Sequence, residues 1–458
     1  MTRVAVVGGG VSGATAAYRL RQSLGGAAEL VVFESSASLG GKLRTVELAG
    51  TRYDVGVEAF LARRPEAVAL IEEIGLDGEL AHPTGAKSTV RAGGQKVAMP
   101  GGTMMGIPGS ADAVAGVLSE EGRRRVAAEP ELPPVHVNGD VALGELLRAR
   151  FGDELVDRLV DPLLGGVYAG GADGLGLRAT VPALASAIDA GAPSLTAAAA
   201  SLLPSAPSTK PVFGTLTGGM STLIDRLIEL AKPEIRLNTL VRGLSRTAEG
   251  WRLELTEGID DVDAVILAVP APAARRLLEQ AAPVASAALG QVELASMAVV
   301  GLALPPGTEL PAASGVLIGA GERYPDGKPL AAKAFTFSSR KWAHLDDPVL
   351  LRGSVGRFGE PGALRADDEE LVRLVRADLA ELTGVTAEPI DVHVQRWGGG
   401  LPQYGVGHGE LVERAESAVA AVPGLAIAGA ALHGVGVPAC IATATEAASR
   451  ITSELRRH

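Results

Sequence analysis

Two glycine-rich turns have the residue spacing with the most specific chemistry in this sequence. The first lies in "VAVVGGGVSGATAAYRL" (residues 4–20), where Gly8, Gly10 and Gly13 form G-x-G-x-x-G between an apolar strand and an Ala-rich helix. In this pattern the first glycine permits a tight turn, the second lets the backbone approach a pyrophosphate, and the third lets helix and strand pack closely. The helix N-terminus then offers free N–H groups to the anion. We expect a dinucleotide to be bound by Gly8, Gly9, Gly10, Val11, Ser12 and Gly13.

An acidic residue follows at the distance that such a site requires. The second apolar strand, "ELVVFESS", ends at Glu34, about 20 residues after the last glycine. A carboxylate at this position accepts a hydrogen bond from a ribose hydroxyl. Strand, loop, helix and acidic residue together favour a ligand site over an empty glycine turn. We therefore add Glu34 and the adjoining Ser35 to the predicted site.

The second turn lies near the other end of the chain, in "LAIAGAALHGVGVPACIATATEAASRI" (residues 425–451). A short apolar strand, a glycine-rich turn and a helix that begins near Pro438 succeed one another there. Proline is favoured at the first helical position because its missing N–H has no partner to lose there. The pattern predicts a second positively polarised helix N-terminus, far from the first in sequence, that faces an anionic group.

Composition and charge exclude several classes of protein. The 458 residues suffice for two or three domains, and 47% hydrophobic with 21% charged residues is typical of a globular chain. A net charge of −11 argues against a general nucleic-acid binder. One cysteine, Cys440, excludes an internal disulfide framework and a Cys-based zinc site. With no targeting pattern and no apolar run long enough for a transmembrane segment, we expect a cytoplasmic protein.

The stretch "ASLGGKLRTVELAGTRYDVGVEAF" (residues 37–60) favours FAD over NAD as the dinucleotide. A glycine pair, Gly40 and Gly41, follows the acidic strand, a basic residue comes next, and a predicted β-hairpin leads to "DVGVEAF". This order resembles the extended dinucleotide motif of the flavoprotein amine-oxidase superfamily, which includes phytoene desaturases and protoporphyrinogen oxidases. The resemblance implies that the segment wraps FAD, with contacts from Lys42, Gly56, Val57, Glu58 and Ala59.

Four further motifs narrow the resemblance. The segments "GVYAGGADGLGLRATVP" (166–182), "VFGTLTGGMSTLIDRL" (212–227), "FTFSSRKWAH" (335–344) and "RWGGGLPQYGVGH" (396–408) are similar, in the same order, to the protoporphyrinogen and coproporphyrinogen oxidase family. In that family the "GVGVP" turn lies at the flavin N1/C2=O edge, where a helix N-terminus stabilises the anionic reduced flavin. The contacts implied by the resemblance are Trp397, Ala430, Val435, Gly436 and Val437 near the flavin and Val241 over the adenine.

One departure from the family pattern lies in the last helix. Where the family commonly has Pro-Asp-Cys-Ile followed by a glycine, this chain has Ala439 in place of the aspartate and Ala444 in place of the glycine. The lost carboxylate affects details of the flavin end, not the fold. We expect Cys440 to be a buried helix residue, because no His or charged residue adjoins it to lower its pKa.

The resemblance also implies a reaction. A porphyrinogen loses six electrons to become a porphyrin, so a two-electron flavin acts three times. Each round would transfer a hydride from a meso carbon to flavin N5, release an N–H proton, and end with reoxidation by molecular oxygen to give hydrogen peroxide. The cofactor carries the redox chemistry, so we expect neither a metal nor a dedicated catalytic residue.

The choice of porphyrinogen depends on charge. Coproporphyrinogen III carries four propionates and protoporphyrinogen IX two, so the former needs more Arg and Lys near the pocket. We consider four basic residues as substrate ligands: Arg63, Arg64, Lys87 and Arg178. The lack of a membrane-anchoring segment also fits the coproporphyrinogen branch. We therefore favour coproporphyrinogen III, with protoporphyrinogen IX as the alternative, and leave a transient contact with ferrochelatase open.

Two more distant alternatives remain. An amine oxidase or carotenoid desaturase has the same fold, although amine oxidases usually place an aromatic cage before the flavin and this chain has five Tyr and three Trp. A non-catalytic binding protein similar to GDP-dissociation inhibitors has a related fold, but the intact glycine loop and Glu34 argue against it.

These residues must be positioned by an α/β fold with a discontinuous domain. We predict a Rossmann-like FAD-binding domain from residues 1–85, 208–275 and 389–458. A mixed-sheet substrate-binding domain is expected from residues 86–100 and 276–388, and an inserted helical domain from residues 101–207.

Overall fold

The apolar runs "VAVV", "LVVF" and "AVIL" form strands that are buried on both faces, as in a parallel sheet covered by helices. The structure, a computed structural model, describes residues 2–205 and 211–457. The predicted boundary between the helical domain and the second FAD segment, at residues 207 and 208, lies outside the described residues.

The strands of the described residues vary from two to twelve residues in length. In chain order they are β1 (Arg3–Val7), β2 (Glu29–Phe33), β3 (Thr45–Leu48), β4 (Thr51–Asp54), β5 (Phe60–Leu61), β6 (Leu80–Ala81), β7 (Thr89–Ala92), β8 (Gln95–Ala98), β9 (Thr103–Met104), β10 (Ile107–Pro108), β11 (Phe213–Leu216), β12 (Glu234–Arg236), β13 (Val241–Arg246), β14 (Trp251–Leu255), β15 (Ile259–Val262), β16 (Ala264–Leu267), β17 (Leu294–Leu304), β18 (Gly315–Ile318), β19 (Ala332–Thr336), β20 (Val349–Val355), β21 (Asp391–Pro402) and β22 (Leu425–Ile427).

The α-helices are longest in the parts of the chain that cover the sheets. In chain order they are α1 (Val11–Leu24), α2 (Pro65–Glu73), α3 (Glu120–Ala128), α4 (Leu143–Phe151), α5 (Asp153–Leu155), α6 (Asp161–Tyr168), α7 (Leu177–Thr180), α8 (Pro182–Asp189), α9 (Leu195–Leu202), α10 (Ser221–Ala231), α11 (Ala271–Leu278), α12 (Pro283–Leu289), α13 (Ser338–Lys341), α14 (Asp368–Thr383), α15 (His408–Ala420) and α16 (Val437–Leu455).

A five-stranded parallel sheet has the order β12-β2-β1-β16-β22, so three distant stretches of the chain build it. Val4 and Val6 of β1 point to one face, where α1, α10 and α16 cover them. Ala5 and Val7 point to the other face, which packs against the β13–β15 sheet and α11, α12 and α15. The carboxyl ends of β1, β2, β16 and β22 therefore meet at one edge, where ligands bind in sheets of this kind.

A second sheet has the order β21-β17-β20-β19-β18-β7-β8 and is antiparallel except for the β18–β7 pair. Helix α14 covers one of its faces. Between β7–β8 and β11 the chain forms a helical region, α3 to α9, with its own apolar core. The structure thus contains the three architectural parts that the sequence predicted.

The position of β21 differs from the predicted domain division. Residues 391–402 were expected in the FAD-binding domain, which we began at residue 389, yet they pair with β17 in the seven-stranded sheet. The difference arises because β21 belongs to that sheet by hydrogen bonding while its far end, around Trp397 and Pro402, reaches the edge of the parallel sheet. A motif that resembles a flavin contact does not reveal which sheet pairs with it.

A buried carboxyl links the β3–β4 hairpin to the start of α10. Asp54 accepts hydrogen bonds from the Met220 N–H at 3.0 Å and from the Thr45 hydroxyl at 2.5 Å. It is 8% exposed. Burial is the largest cause that raises the pKa of Asp54 from 3.8 to about 6.

We predict that Asp54→Asn removes a pH dependence of stability. Because the folded-state pKa lies above the unfolded value, the ionised carboxylate weakens folding as pH rises from about 4 to about 6, by on the order of 3 kcal/mol at most. Asparagine keeps an acceptor for Met220 but does not ionise. The difference in melting temperature, variant minus wild type, should therefore increase as the pH is raised from 4 to 7. A constant difference across this range would contradict the assignment.

Candidate functional site

The first glycine loop has the shape that close backbone approach requires. Gly8 has φ +106°, and a Cβ there would lie 2.3 Å from the Ala268 carbonyl oxygen. A Cβ on Gly13 would lie 1.8 Å from the Gly8 oxygen, so Gly13 permits the tight contact of α1 with the loop. A Cβ on Gly10 would meet nothing within 4 Å, because Gly10 faces an open cleft. The backbone geometry at the three glycines fits the three roles of the motif, and the approach of Gly10 to a pyrophosphate stays a prediction.

The second glycine pair lies directly on the first loop. The Gly40 N–H donates to the Gly9 oxygen at 2.8 Å, and Gly10 and Gly40 form a parallel bridge. A Cβ on Gly41 would lie 3.3 Å from the Gly10 Cα. The two loops thus form one backbone cradle.

Glu34 connects this cradle to β2. One carboxylate oxygen accepts from the Gly9 N–H at 2.8 Å and the other from the Ser36 N–H at 2.8 Å. Glu34 and Ser35 both line the cleft. The carboxylate is therefore fixed in orientation by backbone donors and still has lone pairs free for a ligand hydroxyl.

The last helix starts at the same cleft. Helix α16 begins at Val437 with Gly436 as its N-cap, so Pro438 is the second helical residue and not the first as predicted. The Ser12 hydroxyl of α1 donates to the Cys440 oxygen of α16 at 3.3 Å. Cys440 itself is 5% exposed and burial raises its pKa, which agrees with a structural role. Both helix N-termini therefore open on one side of the parallel sheet.

A single cleft, with a volume of about 1540 Å³ including its part open to solvent, joins these features. It contains the following predicted residues: Gly8, Gly10, Val11, Ser12, Glu34, Ser35, Lys42, Val57, Val241, Trp397, Ala430, Val435 and Val437. The cleft runs from Val241 at one end to Trp397 and the start of α16 at the other. An elongated ligand fits this arrangement better than a compact one.

The electrostatics of the cleft suit an anionic dinucleotide. Neither α1 nor α16 has a side-chain cap or an acidic residue in its first turn, so their first N–H groups remain available to a ligand. Lys42 also lines the cleft. Burial lowers the pKa of its ammonium, which has no hydrogen-bond or ion-pair partner within the described residues. The residues present therefore fit a diphosphate and a flavin that becomes negatively charged when reduced. Fold and cleft together define a protein that binds an extended dinucleotide such as FAD.

Several predicted residues shape the cleft without lining it. Gly9 packs under Leu39 and Glu34, and Gly436 is the exposed N-cap of α16. A Cβ on Gly56 would lie 2.0 Å from the Lys42 oxygen, so this glycine lets two backbone segments meet. Ala59 packs against the apolar cluster of Tyr53 and Trp342. Their predicted contact with FAD stays a prediction.

Glu58 points away from the cleft into a buried ion-pair cluster. Its carboxylate lies 2.5 Å from the Lys341 ammonium and 3.2 Å from the Arg352 guanidinium. Burial opposes its charge, but Arg352 and Lys341 outweigh that effect and hold the pKa of Glu58 below its ordinary value. Glu58 thereby ties the segment after β4 to α13 and β20.

The four basic residues predicted for the substrate do not meet at the cleft. Arg178 pairs with Asp189 and Arg64 with Glu66, while Arg63 and Lys87 are exposed. None of them lines the cleft described above. Their role in substrate binding remains a prediction without a geometric argument.

The sequence reasoning missed part of the cleft. The loop after β16, Arg276 of α11, and Gly398, Gly399, Gly400 and Pro402 of β21 also line it. The loop could have been found, because β16 lies within residues 208–275, which were predicted to belong to the FAD-binding domain, and its carboxyl end would then lie beside that of β1. The glycines of β21 carry no comparable signal, since they depend on a long-range pairing.

The described residues contain no helix long and apolar enough to cross a bilayer. Among the same residues, no group of three or more His, Cys, Asp or Glu side chains is arranged to hold a metal ion.

Comparison with known proteins places the chain in a family. The model of the family described as flavin containing amine oxidoreductase matches residues 11–452. Coproporphyrinogen III oxidase from Mycobacterium leprae is 45% identical over 99% of this chain and 98% of its own length. Coproporphyrinogen III oxidase from Bacillus subtilis is 31% identical over 96% of this chain and 95% of its own. A crystal structure assigned as a protoporphyrinogen oxidase from Exiguobacterium sp. 255-15 has a TM-score of 0.87 and 33% identity, with 99% of both chains covered.

The chain belongs to the flavin-containing amine oxidoreductase family, in the group that contains these porphyrinogen oxidases. It is an FAD-dependent oxidoreductase. The predicted family, cofactor, enzyme class and fold class are thereby confirmed.

We predict that Gly10→Ala abolishes FAD binding without unfolding the protein. The Gly10 backbone (φ −76°) is accessible to alanine and a Cβ would meet no protein atom, but it would project into the pyrophosphate position. The variant should purify folded, with at least about tenfold less flavin absorbance per protein than wild type. Circular dichroism and flavin absorbance would measure the two effects.

Gly13→Ala is the matched control. Its Cβ would collide with the Gly8 oxygen at 1.8 Å, so this variant should lose stability as well as flavin. If Gly10→Ala retained its full flavin content, the assignment of the loop would be wrong.

We predict that Glu58→Gln acts on stability and not on the flavin. Removing the Glu58 charge leaves the partly exposed Lys341 and Arg352 without their carboxylate, which costs about 3 kcal/mol, the lower end of the range for buried pairs. Chemical denaturation should show this loss, while the folded fraction keeps its flavin stoichiometry. A folded variant that had lost flavin would instead support direct contact of Glu58 with FAD.

Proposed function

We propose that the protein oxidises coproporphyrinogen III to coproporphyrin III with FAD, in porphyrin biosynthesis. The balanced reaction takes three molecules of dioxygen per porphyrinogen and releases three of hydrogen peroxide. The observation that carries the proposal is similarity to coproporphyrinogen III oxidases over almost the whole chain.

FAD, when bound, accepts two electrons per cycle from the substrate and passes them to an acceptor, so six electrons need three cycles. The chain supplies binding and orientation. In the proposed arrangement, the N–H groups at the start of α1 hold the diphosphate and Glu34 accepts from a ribose hydroxyl. The start of α16 and the Lys42 ammonium stabilise negative charge at the flavin end.

An aromatic group supports the turn before α16. Tyr404 stacks on His408 with ring centroids 3.9 Å apart, and its hydroxyl donates to the Ala430 oxygen at 2.6 Å. His408 Nε2 lies 3.0 Å from the Leu432 oxygen, and burial lowers its pKa, so the ring is neutral near pH 7. These contacts fix the backbone conformation of residues 429–432. We infer that they position the backbone of Ala430 against the flavin edge.

Protoporphyrinogen IX is the second candidate substrate, because the Exiguobacterium structure carries that assignment. We also propose dioxygen as the electron acceptor, a cytoplasmic location and a transient contact with ferrochelatase. Bacterial relatives with the same name support the first choice of substrate.

We predict that the purified yellow protein oxidises coproporphyrinogen III with a kcat/KM about tenfold or more above that for protoporphyrinogen IX, because binding groups placed for four carboxylates are left unpaired by two. Porphyrin fluorescence and an oxygen electrode would follow the reaction, with three dioxygen consumed per porphyrin. Under anaerobic conditions coproporphyrinogen III should bleach the flavin, and air should restore it. A preference for protoporphyrinogen IX would overturn the substrate choice, and no bleaching by either would overturn the reaction.

A further inference from the structure

A buried lysine lies in the middle of the seven-stranded sheet. Lys333 of β19 is 3% exposed. It is the extra residue of a β-bulge. Ala332 pairs with Val355 of β20 and Ala334 pairs with the adjacent Ser354, so Lys333 has no partner in the ladder. A bulge redirects one side chain out of the regular alternation, and bulges are common next to functional sites.

Neither Lys333 nor its charged neighbour has an acidic partner. Among residues 2–205 and 211–457, no hydrogen bond and no carboxylate within 4.0 Å is found for the Lys333 ammonium. The charge that acts on it is that of Arg357, also a cation. The Arg357 guanidinium donates to the Ile318 oxygen at 2.6 Å, and the carboxylates that act on it, Glu360 and Asp161, form no ion pair with it.

The buried Lys333 ammonium has no carboxylate partner among the described residues, and the charge that acts on it, Arg357, is a partly buried cation, which is an unfavourable arrangement. Desolvation, assisted by Arg357, lowers the pKa of Lys333 to about 7, and burial likewise lowers the pKa of Arg357. A position needed only for packing would be filled at lower cost by an apolar residue. The arrangement is typical of a site that receives an anion from outside the chain.

This pair lies on the face of the sheet that meets the helical region. The opposite face is filled by α14, which packs on Ala332 and Phe335. Arg357 lies against α6, because a Cβ on Gly165 would lie 3.2 Å from its Nη1. The next residue, Phe358, donates its N–H to the Ala169 oxygen just after α6, at 2.6 Å.

The same end of α6 borders the cofactor cleft. The Gln403 side chain donates to the Tyr168 oxygen at 2.7 Å, and Gln403 directly follows Pro402, which lines the cleft. The carbonyls of Tyr168 and Ala169 therefore connect the cleft on one side to the basic pair on the other. A macrocycle as large as a tetrapyrrole, placed over the flavin end, would extend toward this end of α6.

We propose that Lys333 and Arg357 form an anion subsite that binds a propionate carboxylate of the tetrapyrrole substrate. The inference rests on the proposed function and adds two binding residues to it. They differ from Arg63, Arg64, Lys87 and Arg178, which are exposed or already paired with a carboxylate. The subsite would hold one edge of the macrocycle while the flavin lies against its face.

Binding of the stable product tests the subsite in the holoenzyme. We expect Lys333→Met to weaken the affinity for coproporphyrin III by about tenfold or more, the value of one charge-assisted hydrogen bond. Arg357→Gln should have a similar effect, and Lys333→Arg should recover part of the loss. Fluorescence titration of coproporphyrin III would measure the dissociation constants. In turnover, KM for coproporphyrinogen III should rise more than kcat falls.

Two controls separate charge from packing. Lys328→Met removes an exposed lysine that pairs with Asp326, and it should leave the affinity unchanged. The tetramethyl ester of coproporphyrin III has no free carboxylates, so its affinity should not depend on Lys333. Both ligands are titrated in one detergent-containing buffer. Flavin content should equal that of wild type in every variant.

A stability measurement adds an independent readout. Lys333→Met removes an unpaired buried charge, so the ligand-free variant should melt at a higher temperature than wild type, although it binds less product. A lysine that served packing or a structural hydrogen bond would show the opposite sign.

The outcomes are distinguishable from failure of the proposed function. Wild-type turnover combined with unaltered product affinity in both Lys333→Met and Arg357→Gln would overturn the subsite alone. An equal loss of affinity for the ester would also overturn it, because the effect would then not depend on charge. Absence of porphyrin binding and turnover in the wild type would overturn both proposals.

Discussion

Uncapped backbone N–H groups at two helix starts, facing one cleft, are the constraint on which the rest of this structure depends. Helices α1 and α16 lie side by side on one face of the parallel sheet, and their N-termini open at the same sheet edge. Neither offers a side-chain cap or an acidic residue to its own N–H groups. An anionic ligand can therefore take the place of water at these donors. Gly8, Gly40 and Gly41 are required by close contacts within the loops, and Gly10 leaves the side that faces the cleft open.

In the proposed arrangement the edge of the parallel sheet binds FAD and the seven-stranded sheet faces the substrate, and β21 contributes to both. It pairs with β17 along most of its length and carries Trp397 and Pro402 into the cofactor cleft. The Glu58 ion-pair cluster makes a second connection, between the segment after β4 and the seven-stranded sheet, through Lys341 of α13 and Arg352 of β20. A change in either connection moves the substrate face relative to the flavin, so the division into domains is less sharp in space than the sequence suggested.

Local spacing determined what the sequence could predict. The loop from Gly8 to Gly13 and the carboxylate of Glu34 lie in one βαβ unit, where residue separation alone fixes their geometry. The glycines of β21 join the site through a pairing with the distant strand β17, which one sequence does not reveal. The basic substrate candidates were chosen for their charge, and Arg63 and Arg64 also because they directly follow the FAD motif. A charged residue so chosen is most often solvated, as Arg63 and Lys87 are. The sequence did not predict Lys333 as a binding residue, because a charged residue is expected to be exposed and this one is buried at a strand bulge.

Two ways of compensating negative charge follow from this division. In the proposed arrangement, fixed backbone dipoles at the start of α1 bind the FAD diphosphate, and Lys42 adds a formal charge in the same cleft. The proposed substrate carries several carboxylates and must enter and leave, so the groups that bind it have no partner between turnovers. Lysine tolerates this state better than arginine, because it can release its proton when desolvated and regain it beside a carboxylate. With a pKa of about 7, Lys333 has this property, whereas Arg357 keeps its charge and relies on the Ile318 oxygen. Lys333 would then take up a proton when the substrate carboxylate binds. The complex would therefore gain less negative charge than the bound carboxylates carry.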